Sequence, residues 1–344
     1  MKVGVHIHAK SRRDFLRSAI SAPLAAILFA ALGWTGTLSP RLDAEARAAG
    51  IDESAGATET TKVAGASGSG AMVKLWALAE GPRRKLVLNL KAHDFQVFDE
   101  GRPQKLAYFS APSRESLALG LLVETSRSRL YEPDPADWRP YSDLLHKVLR
   151  RGDKAFVATF AEKAELHADF TDNLQALDGA LQQVFSSSPK GLTGLYDSIY
   201  VLCEERFSGE PGRRVLLVVS DSPDSSSEHT QLQTLERVER TGITVYTVLP
   251  WVDRLGQPPF GDVRFAQYFA DQTGGLFFLA HSRKMLVGQL DGIRMAIDYS
   301  YTLGFIPPHT ARDGRYHAIR VRCDRPDVKL HVSRGYYGLQ PPLQ

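Results

Sequence analysis

The chain has 344 residues, 43% hydrophobic and 24% charged, the make-up of an ordinary globular protein long enough for one large domain and a smaller one. Residues 1–48 hold seven of the 42 Lys and Arg and three of the 39 Asp and Glu, so the formal charge of +3 falls to −1 beyond them. That balance gives no basic footprint for nucleic acid, and two distant cysteines exclude a disulfide framework or a zinc-finger spacing.

Near the start, Ser11-Arg12-Arg13-Asp14-Phe15-Leu16-Arg17 resembles a twin-arginine export signal. The Ala-rich residues 19–34 follow, interrupted by Ser21 and Pro23. They fall short of the roughly 20 strongly apolar residues that a stable transmembrane helix needs. Residues 1–48 therefore read as a signal peptide, with small-x-small sites at Ala44, Ala46 and Ala48. An uncleaved anchor is the alternative, and it is the one route to membrane attachment. Residues 49–71 are rich in Ala, Gly, Ser and Thr and read as a flexible linker. Their glycines follow no strand and precede no Lys-Ser or Lys-Thr pair, so they form no phosphate loop.

A β segment is expected over 72–112. Val73, Leu75 and Ala77 alternate, as do Phe95 with Val97 and Leu106 with Tyr108, and Glu100-Gly101 supplies a turn. Short strands like these bury too little to stand alone.

The central domain is expected over 116–298. It opens on an unbroken apolar run at 117–123, which suits a central strand covered on both faces. Trp138, Tyr141, Leu145, Val148 and Leu149 then recur at helical spacing. Residues 155–160 and 164–170 read as a strand pair, and Leu174, Leu177, Leu181 and Val184 mark a helix. Residues 195–207 read as a helix and 215–219 as a second apolar strand. Leu232, Leu235 and Val238 mark another helix, 243–249 and 275–279 two further strands, and Leu286, Leu290, Ile293 and Ile297 a last helix. Strands alternating with helices predict an α/β fold with a doubly wound, mostly parallel sheet. The loop at 251–263, with Pro258-Pro259-Phe260, is long and is either a partner surface or packed loop.

Beyond this the period changes to two. Tyr299, Tyr301, Leu303 and Phe305 fall on one face, residues 316–323 form a strand, and Val328, Leu330 and Val332 another. This C-terminal segment, 299–339, lacks a covered second face, so it is expected to pack with 72–112 into a small β module flanking the α/β domain. Cys203 sits beside Ile199 and Leu202 on a helix and Cys323 shares a strand face with Ile319 and Val321, which predicts two buried thiols; a bridge between them is the alternative in an oxidising compartment.

The chemistry gathers at strand ends. Glu124, Ser126 and Ser128 follow the first central strand, Thr193 lies in a loop entering a helix, and Asp221 follows the second apolar strand. Ligands of open α/β sheets bind at that edge. Three hydroxyls and two carboxylates, with no His or Cys, form the oxygen set that hard cations prefer.

The order and spacing of these residues resemble the von Willebrand factor A domain and its metal-ion-dependent adhesion site. The family's first motif is Asp-x-Ser-x-Ser, its second a Thr and its third an Asp after a central strand; Ser126, Ser128, Thr193 and Asp221 match, and Glu124 stands where the family has Asp. The resemblance is nearest to bacterial VWFA-related domain proteins, which carry a DFxVxxDGxxQ segment ahead of the domain. Here Asp94-Phe95-Gln96-Val97-Phe98-Asp99-Glu100-Gly101-Arg102-Pro103-Gln104 occupies that place.

The resemblance implies an exported, periplasmic or extracellular, non-enzymatic protein. It would bind another protein or envelope macromolecule through a partner's acidic side chain on a Mg²⁺ or Ca²⁺ ion. Glu124 adds a methylene, which moves the carboxylate outward by roughly 1.5 Å, a shift that Ca²⁺ tolerates better than Mg²⁺. Arg127 is placed to pair with Glu124 or Asp221. The alternative is a metal-free hydrogen-bonded loop network on an envelope scaffold. A metal-dependent hydrolase ranks below both, because no HExxH, nucleophile elbow or evident general base is present. Asp224 reads as part of a solvated turn rather than as an acid–base partner of Asp221.

Overall fold

A computed structural model describes residues 59–62, 72–113, 115–127, 136–221, 223–250, 264–308 and 313–338. The expected signal peptide and the 251–263 loop lie outside the described residues. The first strands are β1 (Glu59–Lys62), β2 (Val73–Glu80), β3 (Phe95–Asp99), β4 (Arg102–Gln104) and β5 (Leu106–Ala111). Next come β6 (Leu117–Glu124), α1 (Arg139–Val148), β7 (Lys154–Phe160), β8 (Ala164–Thr171), α2 (Leu174–Ser186) and α3 (Leu195–Glu205). They are followed by β9 (Arg213–Val219), α4 (Gln231–Thr241), β10 (Ile243–Pro250), α5 (Arg264–Thr273), β11 (Phe277–Ala280) and α6 (Arg283–Asp298). The last strands are β12 (Tyr301–Phe305), β13 (Tyr316–Cys323), β14 (Lys329–His331) and β15 (Gly335–Tyr337).

Every residue of β6 is buried, because helices cover both faces. Leu117, Leu119, Leu121 and Val123 pack in one core with Tyr141, Leu145, Leu177, Leu181, Leu290 and Ile293 from α1, α2 and α6. Ala118 and Leu122 face the opposite way, into a second core with Leu195, Ile199, Leu235, Val238 and Phe269 from α3, α4 and α5. A strand read as unbroken apolar sequence is thus a period-two strand with two apolar environments.

The six-stranded sheet runs β8-β7-β6-β9-β10-β11. All its pairings are parallel except the β7–β8 hairpin at one edge. Numbered by appearance, this is the doubly wound order 3-2-1-4-5-6, and its direction reverses between β6 and β9. The helices start where the sequence supplies caps: the Asn173 side chain accepts from Gln175 N and Ala176 N at α2, and Thr230 with Gln233 forms a capping box at α4. α4 ends at Gly242, whose φ of +67° returns the chain to β10.

The terminal strands form two antiparallel sheets, β1-β5-β12-β2-β14 and β15-β13-β3-β4. Leu75, Phe95, Val97, Phe109, Tyr301, Leu303 and Phe305 bury together as their common core. The β module assembled from both chain ends is therefore present. Within the segment expected as a linker, Glu59–Lys62 pairs with β5 as an edge strand. Two details differ from the alternation. Ala107 is an extra residue against β12, so Phe109, not Tyr108, joins Leu106 in the core. Tyr299 caps α6 instead of opening the strand. Cys203 is fully buried in the α/β core, and burial pushes its thiol well above the usual range. Cys323, the last residue of β13, is only half-buried against the other core, and both thiols are free. No helix among the described residues is long and apolar enough to cross a membrane.

α4 also touches the β module. Loss of water, then the charge of Glu236, pushes the Glu239 carboxyl up to about 7, against a hydrogen bond with Tyr316. The folded state then keeps a proton that the unfolded chain has already released. Stability from this group is present below the unfolded value near 4.5 and is lost as pH rises through about 7. Glu239→Gln should raise the melting temperature by about 2–4 °C at pH 8, about 1 kcal/mol after solvent screening, and leave it unchanged at pH 4. Thermal melts of both chains across pH check this.

Candidate functional site

The carboxyl end of β6 is tied to its neighbours before any side chain of interest is placed. Thr125 N donates to Phe160 O at 2.8 Å, at the end of β7, and its hydroxyl donates to the same oxygen at 3.2 Å. Lys190 N donates to Thr125 O at 2.8 Å and Arg127 N to Gly191 O at 3.1 Å, which lays the loop before α3 alongside the loop after β6. Gly194 closes that loop: its N–H donates to Ala161 O at 2.6 Å, and a Cβ there would stand 2.4 Å from Glu162 O. Only glycine allows this approach.

The loop after β9 is laced onto the same place. Thr193 N donates to the Ser225 hydroxyl at 3.0 Å, and Ser225 N and Ser226 N donate to Thr193 O at 2.8 and 3.1 Å. Asp224 Oδ2 accepts from Tyr196 N at 3.1 Å and Ser227 Oγ from Asp197 N at 3.0 Å, which satisfies two free N–H groups at the start of α3. Asp224 is thus a helix-capping residue.

These ties bring four side chains and one backbone group together. Glu124 Oε1 accepts from the Ser126 hydroxyl and from the Thr193 hydroxyl, the latter at 3.4 Å. Thr193 Oγ1 also lies 3.0 Å from Ser126 Oγ. Glu124 Oε2 accepts from the Ser220 hydroxyl at 2.7 Å and from Asp221 N at 3.2 Å. Glu124, Ser126, Thr193, Ser220 and Asp221 are all buried. They sit where the strand order reverses, on the α3–α4 side of the sheet.

Of the residues expected at the site, Glu124, Ser126 and Thr193 therefore meet directly, and Asp221 joins through its backbone N–H. Ser128 lies outside the described residues. Arg127 is exposed and, among the described residues, pairs with neither Glu124 nor Asp221. Ser220 was absent from the expected set. Its only signal in sequence was a hydroxyl at the end of the second apolar strand. The extra methylene of Glu124 explains its part: the longer side chain reaches from β6 across to the end of β9. Beside the cluster, a cavity of about 540 Å³ lies between Tyr196, Asp224, Gln231, Phe265 and Tyr268.

A carboxylate offers about four acceptor directions, and Glu124 fills them with three hydroxyls and one N–H. Each hydroxyl that gives its proton to Glu124 keeps lone pairs for another partner. The donor set is oxygen only, so it fits a hard divalent cation held by the Ser126 and Thr193 hydroxyl oxygens.

No protein-family model and no protein of curated function matches this sequence. Some solved structures are similar to part of it. BatB from Bacteroides thetaiotaomicron is 18% identical, with 53% of this chain and 97% of that one covered and a TM-score of 0.43. Proximal thread matrix protein 1 from the mussel byssus, with a zinc-occupied MIDAS motif, is 15% identical at a TM-score of 0.44; 56% of this chain and 47% of that one are covered, so the match spans about half of its length. A von Willebrand factor type A protein from Catenulispora acidiphila is 9% identical over 80% of this chain and 75% of that one, at a TM-score of 0.44. The sheet order and the loops that meet at its switch point make this a doubly wound α/β fold, as expected from the sequence.

Proposed function

We propose that this is an exported, non-enzymatic binding protein whose α/β domain engages another protein at the Glu124 edge through a divalent cation. One observation carries the reading: hydroxyls from three separate loops converge on one buried carboxylate at the switch point of the sheet. In this reading the Ser126 and Thr193 oxygens hold the ion, and a partner's carboxylate completes its shell. Neutral hydroxyl ligands leave the cation electrophilic enough to take that carboxylate. Glu124 is a poor general base, because its oxygens already accept four hydrogen bonds, and this favours binding over reaction. The Ser11–Arg17 motif supports export.

Isothermal titration with Mg²⁺ and Ca²⁺ tests the metal. The expected result is uptake of one ion that Ser126→Ala with Thr193→Ala removes. Heats that survive the double substitution, or no heat with any ion, sink it.

A second reading has an observation of its own: Glu124 is fully satisfied without an ion. The network would then lock three loops of an envelope scaffold, and the double substitution would leave partner recovery from cell envelopes unchanged.

A further inference from the structure

A second set of ligating side chains lies on the β module, in the sheet β15-β13-β3-β4. β3 and β4 are joined by Glu100 and Gly101, with φ of +49° and +75°. Two left-handed residues make the tight hairpin turn that ordinarily carries Asn-Gly or Asp-Gly. Here the first position is a glutamate. Its backbone N–H donates to Ala318 O at 3.0 Å and its Oε1 accepts from Ala318 N at 2.7 Å, so the turn is clamped onto β13.

Asp99 stands beside it, only 4% exposed. Its Oδ2 accepts from the Tyr336 hydroxyl at 3.0 Å, and its Oδ1 is buried with no hydrogen-bond partner among the described residues. A buried carboxylate oxygen without a donor is costly, and a bound cation is one of the few things that relieve it. One carboxylate oxygen from each acid and one ring nitrogen of His317 lie within 4.8 Å of one another. The His317 ring is already oriented: it stacks on Tyr336 with centroids 5.2 Å apart, and its Nε2 lies 3.1 Å from Asp313 Oδ1. Metal-bound imidazoles characteristically carry such a carboxylate partner.

We propose that Asp99, Glu100 and His317 bind a divalent transition-metal ion of the zinc class. Imidazole disfavours Mg²⁺ and Ca²⁺, and two carboxylates with one imidazole leave a fourth position for water. Zinc at about 2.0–2.2 Å from each ligand sets tetrahedral ligand atoms about 3.4 Å apart. The set closes to that spacing with a contraction of at most about 1.4 Å, which the exposed Glu100 side chain supplies from the solvent side. The bound ion fastens the β3–β4 turn to β13, which lies 218 positions away in sequence. None of these residues belongs to the Glu124 cluster, so the two sites succeed or fail separately.

The test is zinc titration of the tag-free full chain by calorimetry, with melting temperature followed in parallel. The chain is expected to bind zinc and to melt higher in its presence. Glu100→Gln and His317→Ala should each lose one zinc equivalent or bind it at least about tenfold more weakly. Glu100 is exposed, so its variant reports even where His317→Ala does not fold. A parent chain that binds no zinc overturns the proposal. So does either folded variant that binds as much zinc as tightly as the parent.

Discussion

Glu124→Ala is expected to lower the unfolding free energy by about 4 kcal/mol. The substitution removes the acceptor of the Ser126, Thr193 and Ser220 hydroxyls and of Asp221 N at once. All four donors belong to buried residues, and an unsatisfied buried donor costs about 1–3 kcal/mol. The losses do not add in full. Thr193 Oγ1 already donates to Ser126 Oγ at 3.0 Å, so the Thr193 proton keeps an acceptor. Glu124→Gln keeps the shape and one acceptor oxygen but turns an N–H₂ toward donors, and about half the loss is expected. Urea denaturation of the three chains measures the series. A loss under about 1 kcal/mol for Glu124→Ala would mean that the carboxylate does not hold the loops together.

The second large effect is at Gly120, midway along β6. Gly120→Val should cost at least about 3 kcal/mol. A Cβ at this position would stand 2.3 Å from Cζ of Phe156, its partner on β7. The ring has nowhere to go: it packs edge-on against Phe170 and Phe207 at centroid distances of 4.9 and 5.3 Å. Either the ring leaves its rotamer or β6 and β7 separate, and separation would carry Glu124 with it. Gly120→Ala combined with Phe156→Leu should be less destabilising than the two single losses summed, because the smaller side chain vacates the space that the methyl needs. Strict additivity in denaturant titrations would show that the ring over Gly120 is not the constraint.

These effects separate what periodicity reveals from what it hides. The unbroken apolar run of β6 predicts that both its faces are covered, because a strand without polar residues has no face to give to water. It does not reveal that Phe156 lies over Gly120, since that contact is set by the β6–β7 register. At the site, Ser126 was legible because it follows the carboxyl end of a central strand, and Thr193 because it occupies the second-motif place in the resemblance. Ser220 was not, because whether a side chain on β6 reaches β9 depends on the spacing between strands, about 4.8 Å, and on the length of Glu124. Tyr108 misled for a related reason: one extra residue, Ala107, reverses every side chain beyond it, and a bulge leaves no mark in composition.

The sequence by itself determined the helices and strands of the α/β domain and that the chain ends return to a common β module. All of that follows from burial, and burial is written locally as period. The tertiary structure alone decided that Glu124 is the hub of the cluster, that Asp224 caps α3, and that Asp99 keeps an oxygen without a donor. Hydrogen-bond partners must meet within about 3 Å, and segments as far apart as β3 and β13 meet at that precision only once the sheets have set their register.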